Sequence, residues 1–321
     1  MIPSASDAFT ADVSQRLDEI ERRLVQAAEA DTAFATSAAQ HIISAGGKRF
    51  RPLLVVVAAL MGNADPEDVT KAALVVELTH VASLYHDDVM DDAELRRAVP
   101  SANAKWGNSV AILIGDLLFA RASSVVASLG TEYVALQAKT FARLVQGQLA
   151  ETTGPGDADP LEHYLQVVAD KTGSLIATSA VFGGMVAGLE PSQLDALAAF
   201  GEEIGVVFQL SDDIIDITSQ TSGKTPGTDL RAGVPTLPTL LALRSTDPAH
   251  ARLRELLRSD LSHADLTEVL ELLRAHPAMD AAKAEVRRRA DSARGYLAAL
   301  PDGESRRGLE ALCESMISRS E

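Results

Sequence analysis

The chain has one cysteine, Cys313, and one tryptophan, Trp106, in 321 residues. A lone cysteine excludes an internal disulfide framework and any zinc site built on clustered cysteines, and Cys313 is expected as a small buried hydrophobe. Positive charge is scarce as well: 29 Lys+Arg stand against 45 Asp+Glu, a formal charge of −16 and a pI near 4.9. Such a surface repels a phosphate backbone, so nucleic acid is not expected as a partner. Residues Met1 to Asp18 lack a basic region followed by an apolar stretch. A secretory signal is therefore not expected, and the default compartment is the cytoplasm. The longest uncharged stretch, between Lys171 and Glu190, is diluted by Gly173, Gly183, Gly184 and Gly188. It reads as a core helix, and no integral membrane segment is expected. Period-2 alternation is missing, so no segment reads as a strand. No proline falls between Pro100 and Pro155, which leaves room for long helices.

What is present favours helix and a large core. Hydrophobic residues make up 46% of the chain, enough to exclude disorder. Ala, Leu, Glu and Arg fill the periodic segments. Asp65-Pro66, Asp159-Pro160 and Asp247-Pro248 each pair an N-cap residue with proline at the first helical position. The pattern predicts helices near 6–30, 32–45, 52–61, 66–92, 108–128, 130–152, 160–172, 174–188, 191–219, 236–246, 249–258, 264–275, 278–299 and 304–318. Loops are expected at Gly46-Gly47, 92–108, 153–160 and 219–235. With no low-complexity linker, the reading is one all-α domain over residues 1–321.

Two acidic motifs carry the chemistry. The first is His86-Asp87-Asp88-Val89-Met90-Asp91-Asp92, at the end of an apolar helix. Asp87 and Asp91 are four apart and share one helix face; Asp88 and Asp92 share another, turned by about 100°. Four acids near a helix C-terminus repel one another and the negative end of the helix dipole. A divalent cation removes that cost, and hard oxygen ligands suit Mg²⁺. The second motif, Ser211-Asp212-Asp213-Ile214-Ile215-Asp216, repeats the spacing between Asp212 and Asp216. Mg²⁺ is usually held by a few carboxylates plus substrate phosphates, so the two motifs ask for a phosphorylated ligand. Basic residues accompany them: Arg96-Arg97 after the first, Lys224 after the second, Lys171-Thr172 between, and Lys48-Arg49-Phe50-Arg51 upstream. Neither Gly47-Lys48 nor Gly223-Lys224-Thr225 completes a phosphate-cradling Walker loop, since Ile42 and Thr218 stand where glycine is required. His86-Asp87 with His80 alone falls short of a His-Asp metal phosphohydrolase.

Taken together, these motifs, Gly46-Gly47-Lys48-Arg49-Phe50-Arg51-Pro52 and Gln209 resemble the all-trans polyprenyl diphosphate synthases, over about Gly46 to Pro238. The stretches ELTHVASLYHDDVMDD and GKTPGTDLRAGVPTLP are similar to the actinobacterial long-chain branch, whose members make the prenyl tail of menaquinone. The resemblance implies an antiparallel helical bundle around a central cavity, usually a homodimer. It implies head-to-tail condensation of isopentenyl diphosphate with an allylic diphosphate. Asp87, Asp91 and Asp212 are then the expected Mg²⁺ ligands, with Asp216 acting in support or through water. Arg96, Lys171 and Lys224 are expected at the allylic diphosphate, and Lys48, Arg51, His80 and Arg97 at isopentenyl diphosphate. Arginine suits this work because its planar fork meets phosphate oxygens two at a time. Thr172 and Gln209 offer oxygens to the developing cation. No side chain stands out as the base, and His86 is expected to position rather than to take a proton. Thr228 is a departure, because many relatives carry lysine there.

Product length is read from helix geometry. Ser83 and Ala82, four and five residues before Asp87, are expected to wall the cavity that takes the allylic tail. Both are small, where short-chain relatives place a bulky aromatic floor, so products longer than geranylgeranyl are expected. A phenylalanine at Ala82 is expected to close that path, and Tyr85 is expected to pack against a neighbouring helix. A short-chain synthase, a terpene cyclase and a non-catalytic subunit of a heteromeric synthase stay open as alternatives. Whether Asp88, Asp92 and Asp213 touch metal stays open as well.

Overall fold

The computed structural model describes residues 6–218, 226–259 and 263–320. Lys224, expected at a diphosphate, lies outside them. Among the described residues the elements are almost all helical: α1 (Asp7–Ala27), α2 (Ala33–Ser44), α3 (Phe50–Ala59), α4 (Pro66–Met90), α5 (Ala102–Trp106), α6 (Asn108–Ala127), α7 (Thr131–Thr153), α8 (Pro160–Val168), α9 (Ser174–Val186), α10 (Pro191–Thr218), α11 (Thr228–Arg231), α12 (Leu237–Leu243), α13 (Ala251–Leu256), α14 (His263–Arg274), α15 (Pro277–Tyr296) and α16 (Glu304–Ser320). The Asp-Pro starts form as the pattern predicts. Asp65, Asp159 and Asp247 accept backbone N–H groups of the following turn at 2.7, 3.0 and 2.8 Å, satisfying donors that a helix start leaves open.

The chain forms two compact units. The first comprises Met1–Phe141, Leu175–Ala198 and Ala299–Gly308; the second comprises Ala142–Ser174, Ala199–Ala298 and Leu309–Glu321. In the first, α4 is the central helix and carries buried apolar residues on every side, among them Val69, Leu74, Val75, Leu78 and Val81. It packs against α6, α3 and α1, as expected of a helix without a polar face. Helix α6 is the one described helix long and apolar enough, by length and composition, to cross a membrane. Here it lies along α4, with Ala111, Ile114, Leu118 and Ala122 buried in the core. In the second unit, α15 packs on α12, and α8 packs on α12 and on the turn that follows it. Val269, Leu273, Ala282, Val286 and Ala290 are buried there. Cys313 is buried too, as expected.

Three details depart from the expected pattern. Residues 92–108 are not a plain loop: β1 (Leu95–Arg96) and β2 (Val99–Pro100) pair antiparallel, with Arg96 opposite Val99. Their two-residue turn places Arg97 and Ala98 at φ 53° and 63°, the signature of a type I′ turn, which asparagine and glycine usually fill. The second departure is that Ala169–Gly173, read as the end of one helix, is a π-helical turn. Third, residues 228–231 within the expected 219–235 loop form the short helix α11.

Candidate active site

The first acidic motif ends α4. The N–H of Ala93 reaches the carbonyl of Asp88 at 2.9 Å, and Asp92 takes φ 48°. This is the closing geometry that glycine usually provides at a helix C-terminus. The motif's side chains divide by face. Asp88 is fully buried, and Arg96 donates to it at 2.7 Å through Nε and lies 2.5 Å away through Nη2. Burial raises the Asp88 pKa, while Arg96 opposes the rise. Asp87 is half-buried, and Asp91 and Asp92 are exposed. The ring of His86 lies over Gly115, and its Nε2 is 3.1 Å from the carbonyl of Ile112. Packing therefore holds that ring against α6.

Around Gly46–Pro52 the same unit gathers its cations. Arg49, at φ 46°, binds Glu21 through Nε and Nη2 at 2.5 and 2.7 Å and the buried Glu77 through Nη1 at 2.9 Å. Arg97 donates to the carbonyls of Ile42, at 2.9 Å, and Gly46. The buried Nε of Arg51 has no partner among the described residues. Burial lowers the Arg51 pKa to about 10, with Glu77 opposing and Arg97 adding to the fall. His80 is pushed well below the usual imidazole range by burial and then by Arg51, Arg97, Arg96 and Arg49, so it stays neutral. The structure thus brings Arg51, His80 and Arg97 together, while Arg96 is held on Asp88. Lys48 is exposed in the loop before α3.

Both positions expected to set product length are buried. Ala82 is fully buried in the core cluster with Leu78, Tyr85, Ile42 and Ile114. Ser83 is buried too, and its hydroxyl donates to the carbonyl of His80 at 2.8 Å. Tyr85 donates to the carbonyl of Ala38 in α2 at 2.6 Å.

In the second unit, α10 carries Gln209, Asp212, Asp213 and Asp216. Asp212 accepts from Arg319 of α16 at 2.8 Å. Asp213 is buried and receives Tyr164 Oη, the Leu237 N–H at 2.9 Å and Gln209 Nε2 at 3.2 Å. Burial pushes it up to about 7, and these three donors pull against that. The Asp216 carboxylate accepts the N–H groups of Thr228 and Asp229, both at 3.2 Å. Lys171 pairs with Glu151. The π-helical turn that presents Lys171 and Thr172 is held by Arg143, which bridges Asp170 at 2.8 Å and Glu202. A Cβ at Gly147 would come within 2.7 Å of the Lys171 nitrogen, so α7 can approach that turn only with glycine there. Lys171, Thr172, Gln209, Tyr164 and Asp213 line one cavity of about 230 Å³.

The donor chemistry fits a hard divalent cation. Asp87 in the last turn of α4 and Asp91 at its C-cap are carboxylates four residues apart, the hard oxygen donors that such an ion takes. Among the described residues no three His, Cys, Asp or Glu side chains converge as a closed cage. Residues 32–273 match the family described as polyprenyl synthetase. The chain belongs to that family. A nonaprenyl diphosphate synthase of Mycobacterium tuberculosis is 51% identical over 284 residues, covering 87% of this chain and 85% of that one. A dimethylallyltranstransferase of the same organism is 41% identical over 325 residues, covering 99% of each. A geranylgeranyl pyrophosphate synthase from Corynebacterium glutamicum, solved with calcium and isoprenyl diphosphate, matches at TM-score 0.90 and 45% identity over 98% of each chain. This polyprenyl synthetase family member is accordingly a prenyltransferase.

Sequence reasoning missed Tyr164, Arg319, Glu77 and the Arg143–Asp170–Glu202 set in this prenyltransferase. Glu77 had a signal, an acid inside the apolar run of α4 that requires a buried partner. The others are long-range pairings without a local pattern.

Proposed function

We propose that this prenyltransferase condenses isopentenyl diphosphate with an allylic diphosphate, head to tail and with Mg²⁺, to an all-trans polyprenyl diphosphate of medium or long chain. The observation that carries this reading is the cluster of Arg51, Arg97 and neutral His80, with a buried guanidinium N–H of Arg51 lacking a partner among the described residues. In so acidic a chain, cations packed against one another ask for a polyanion. Two arginines and an uncharged imidazole match a diphosphate better than a single carboxylate does.

In this reading Lys48, Arg51, His80 and Arg97 hold isopentenyl diphosphate. Arg96, Lys171 and Lys224 hold the allylic diphosphate. Asp87, Asp91 and Asp212 would hold Mg²⁺, with Asp216 in support, and the ion would supply positive charge against the negative charge that the departing diphosphate gains. Thr172 and Gln209 turn their oxygens to the allylic cation. The double bond of isopentenyl diphosphate attacks, and the departed diphosphate takes the proton lost. Ser83 shares the Asp87 face one turn back and borders the growing tail. Residues 1–321 act as one domain in the cytoplasm, as a homodimer without a membrane segment. The outward Ile112 and Leu113 of α6, 42% and 65% exposed, support that pairing.

Asp87→Ala and Asp212→Ala test the reading. Each is expected to lower turnover by a hundredfold or more, roughly the scale of removing one preorganised electrostatic contact, with the far-ultraviolet circular dichroism unchanged. Near-normal turnover in either variant contradicts the metal assignment.

A further inference from the structure

Gln209 can stabilise a cation only if its amide oxygen, and not its NH₂, faces the reacting carbon. A glutamine side chain has three rotatable bonds, and nothing in its own shape selects that orientation. The structure supplies a selector. Asp213 lies four residues on, one turn along α10, and accepts from Gln209 Nε2 at 3.2 Å. In its ionised form Asp213 only accepts hydrogen bonds, so this contact then claims the NH₂ group and leaves the oxygen for the cavity that Gln209 lines with Thr172 and Lys171.

Asp213 is itself fixed from two other elements. Tyr164 of α8 donates its hydroxyl to Oδ2, and the first N–H of α12, from Leu237, donates to the same oxygen at 2.9 Å. The phenol keeps its proton, because burial and the adjacent carboxylate hold its pKa well above the usual range. Asp213 is therefore turned away from any role beside Asp212, about 100° round the helix, and made the hub of a buried network. Such networks define a single arrangement when every member is satisfied.

We propose that Tyr164, acting through Asp213, is a positioning residue that orients the Gln209 amide oxygen toward the allylic cation. This rests on the prenyl-transfer reading above. Loss of the phenol hydroxyl frees Asp213 to shift and lets the Gln209 amide rotate. The cost falls on the chemical step, because misplacing a contributing group by about 1 Å is worth on the order of a hundredfold.

The test is a double-mutant cycle on the full chain. Tyr164→Phe is expected to lower kcat about ten- to hundredfold with KM for both substrates within about twofold. In a Gln209→Ala background the same substitution is expected to change kcat by less than about twofold, because Tyr164 then has nothing to orient. If Tyr164→Phe does not fold, as judged by circular dichroism, Asp213→Asn is read in the same cycle with the same expectation. A wild-type chain without prenyl transfer overturns the underlying reading. An active wild type with an unaffected Tyr164→Phe variant overturns the positioning role alone. So does a loss that persists undiminished beside Gln209→Ala, which would mark Tyr164 as a structural residue.

Discussion

Asp88 and Asp213 each follow the leading aspartate of their motif by one residue, and that single step, about 100° round a helix, separates them from it. Both turn inward and both are bound, Asp88 by Arg96 and Asp213 by Tyr164, Leu237 and Gln209. The sequence left open whether they touch metal, since an i, i+4 spacing fits either face and burial is not visible in it. Asp212 has a different neighbour. Arg319 lies 2.8 Å from its carboxylate and has to release it before a cation can take that oxygen. The pair is 30% and 40% exposed, so solvent screening limits its strength to at most about 1 kcal/mol. Arg319→Ala is expected to reduce the Mg²⁺ concentration needed for half-maximal binding of an allylic diphosphate analogue about two- to fivefold. Isothermal titration at fixed analogue and varied Mg²⁺ reads this directly, and an unchanged or increased Mg²⁺ requirement contradicts it.

At the scale of elements, most helices were legible because 3.6-residue periodicity, Asp-Pro starts and glycine stops agree with one another. The exceptions have physical causes. The β1–β2 hairpin is too short for alternation to register, and its turn uses Arg97 and Ala98 rather than the usual residues. The π-helical turn at Ala169–Gly173 depends on Gly147 and on the Arg143 bridge, both distant in sequence. The path of the allylic tail shows the same limit. Counting back along α4 names Ala82 and Ser83 together; both are buried, Ala82 in the core beside Leu78 and Tyr85. Ser83→Phe is expected to shorten the main product by at least one five-carbon unit while the primer still ionises. Ala82→Phe is expected mainly to overpack the core, at a cost of about 1–3 kcal/mol, seen as a lower Tm. Product sizing and thermal denaturation of the two variants distinguish them. An unchanged product from Ser83→Phe, or a shortened product from Ala82→Phe at wild-type Tm, contradicts this division.

For the whole molecule, net charge and site charge oppose each other. A chain of −16 belongs to a family of prenyl diphosphate synthases, and it gathers basic residues at Gly46–Pro52 and at Arg96-Arg97. That contrast was visible in the sequence: the basic segments stand out in an acidic chain, and in the reading proposed above they mark where a diphosphate binds. Which cation pairs with which acid was not legible, because Arg96–Asp88, Lys171–Glu151 and Arg319–Asp212 depend on three-dimensional packing. The chain is similar both to a nonaprenyl and to a geranylgeranyl synthase. The most direct measurement incubates the purified full chain with Mg²⁺, labelled isopentenyl diphosphate and an allylic primer, and sizes the products. The account predicts Mg²⁺-dependent incorporation into an all-trans chain longer than geranylgeranyl. No incorporation with any allylic primer would contradict the central claim, and a product that stops at farnesyl or geranylgeranyl would contradict the chain-length reading.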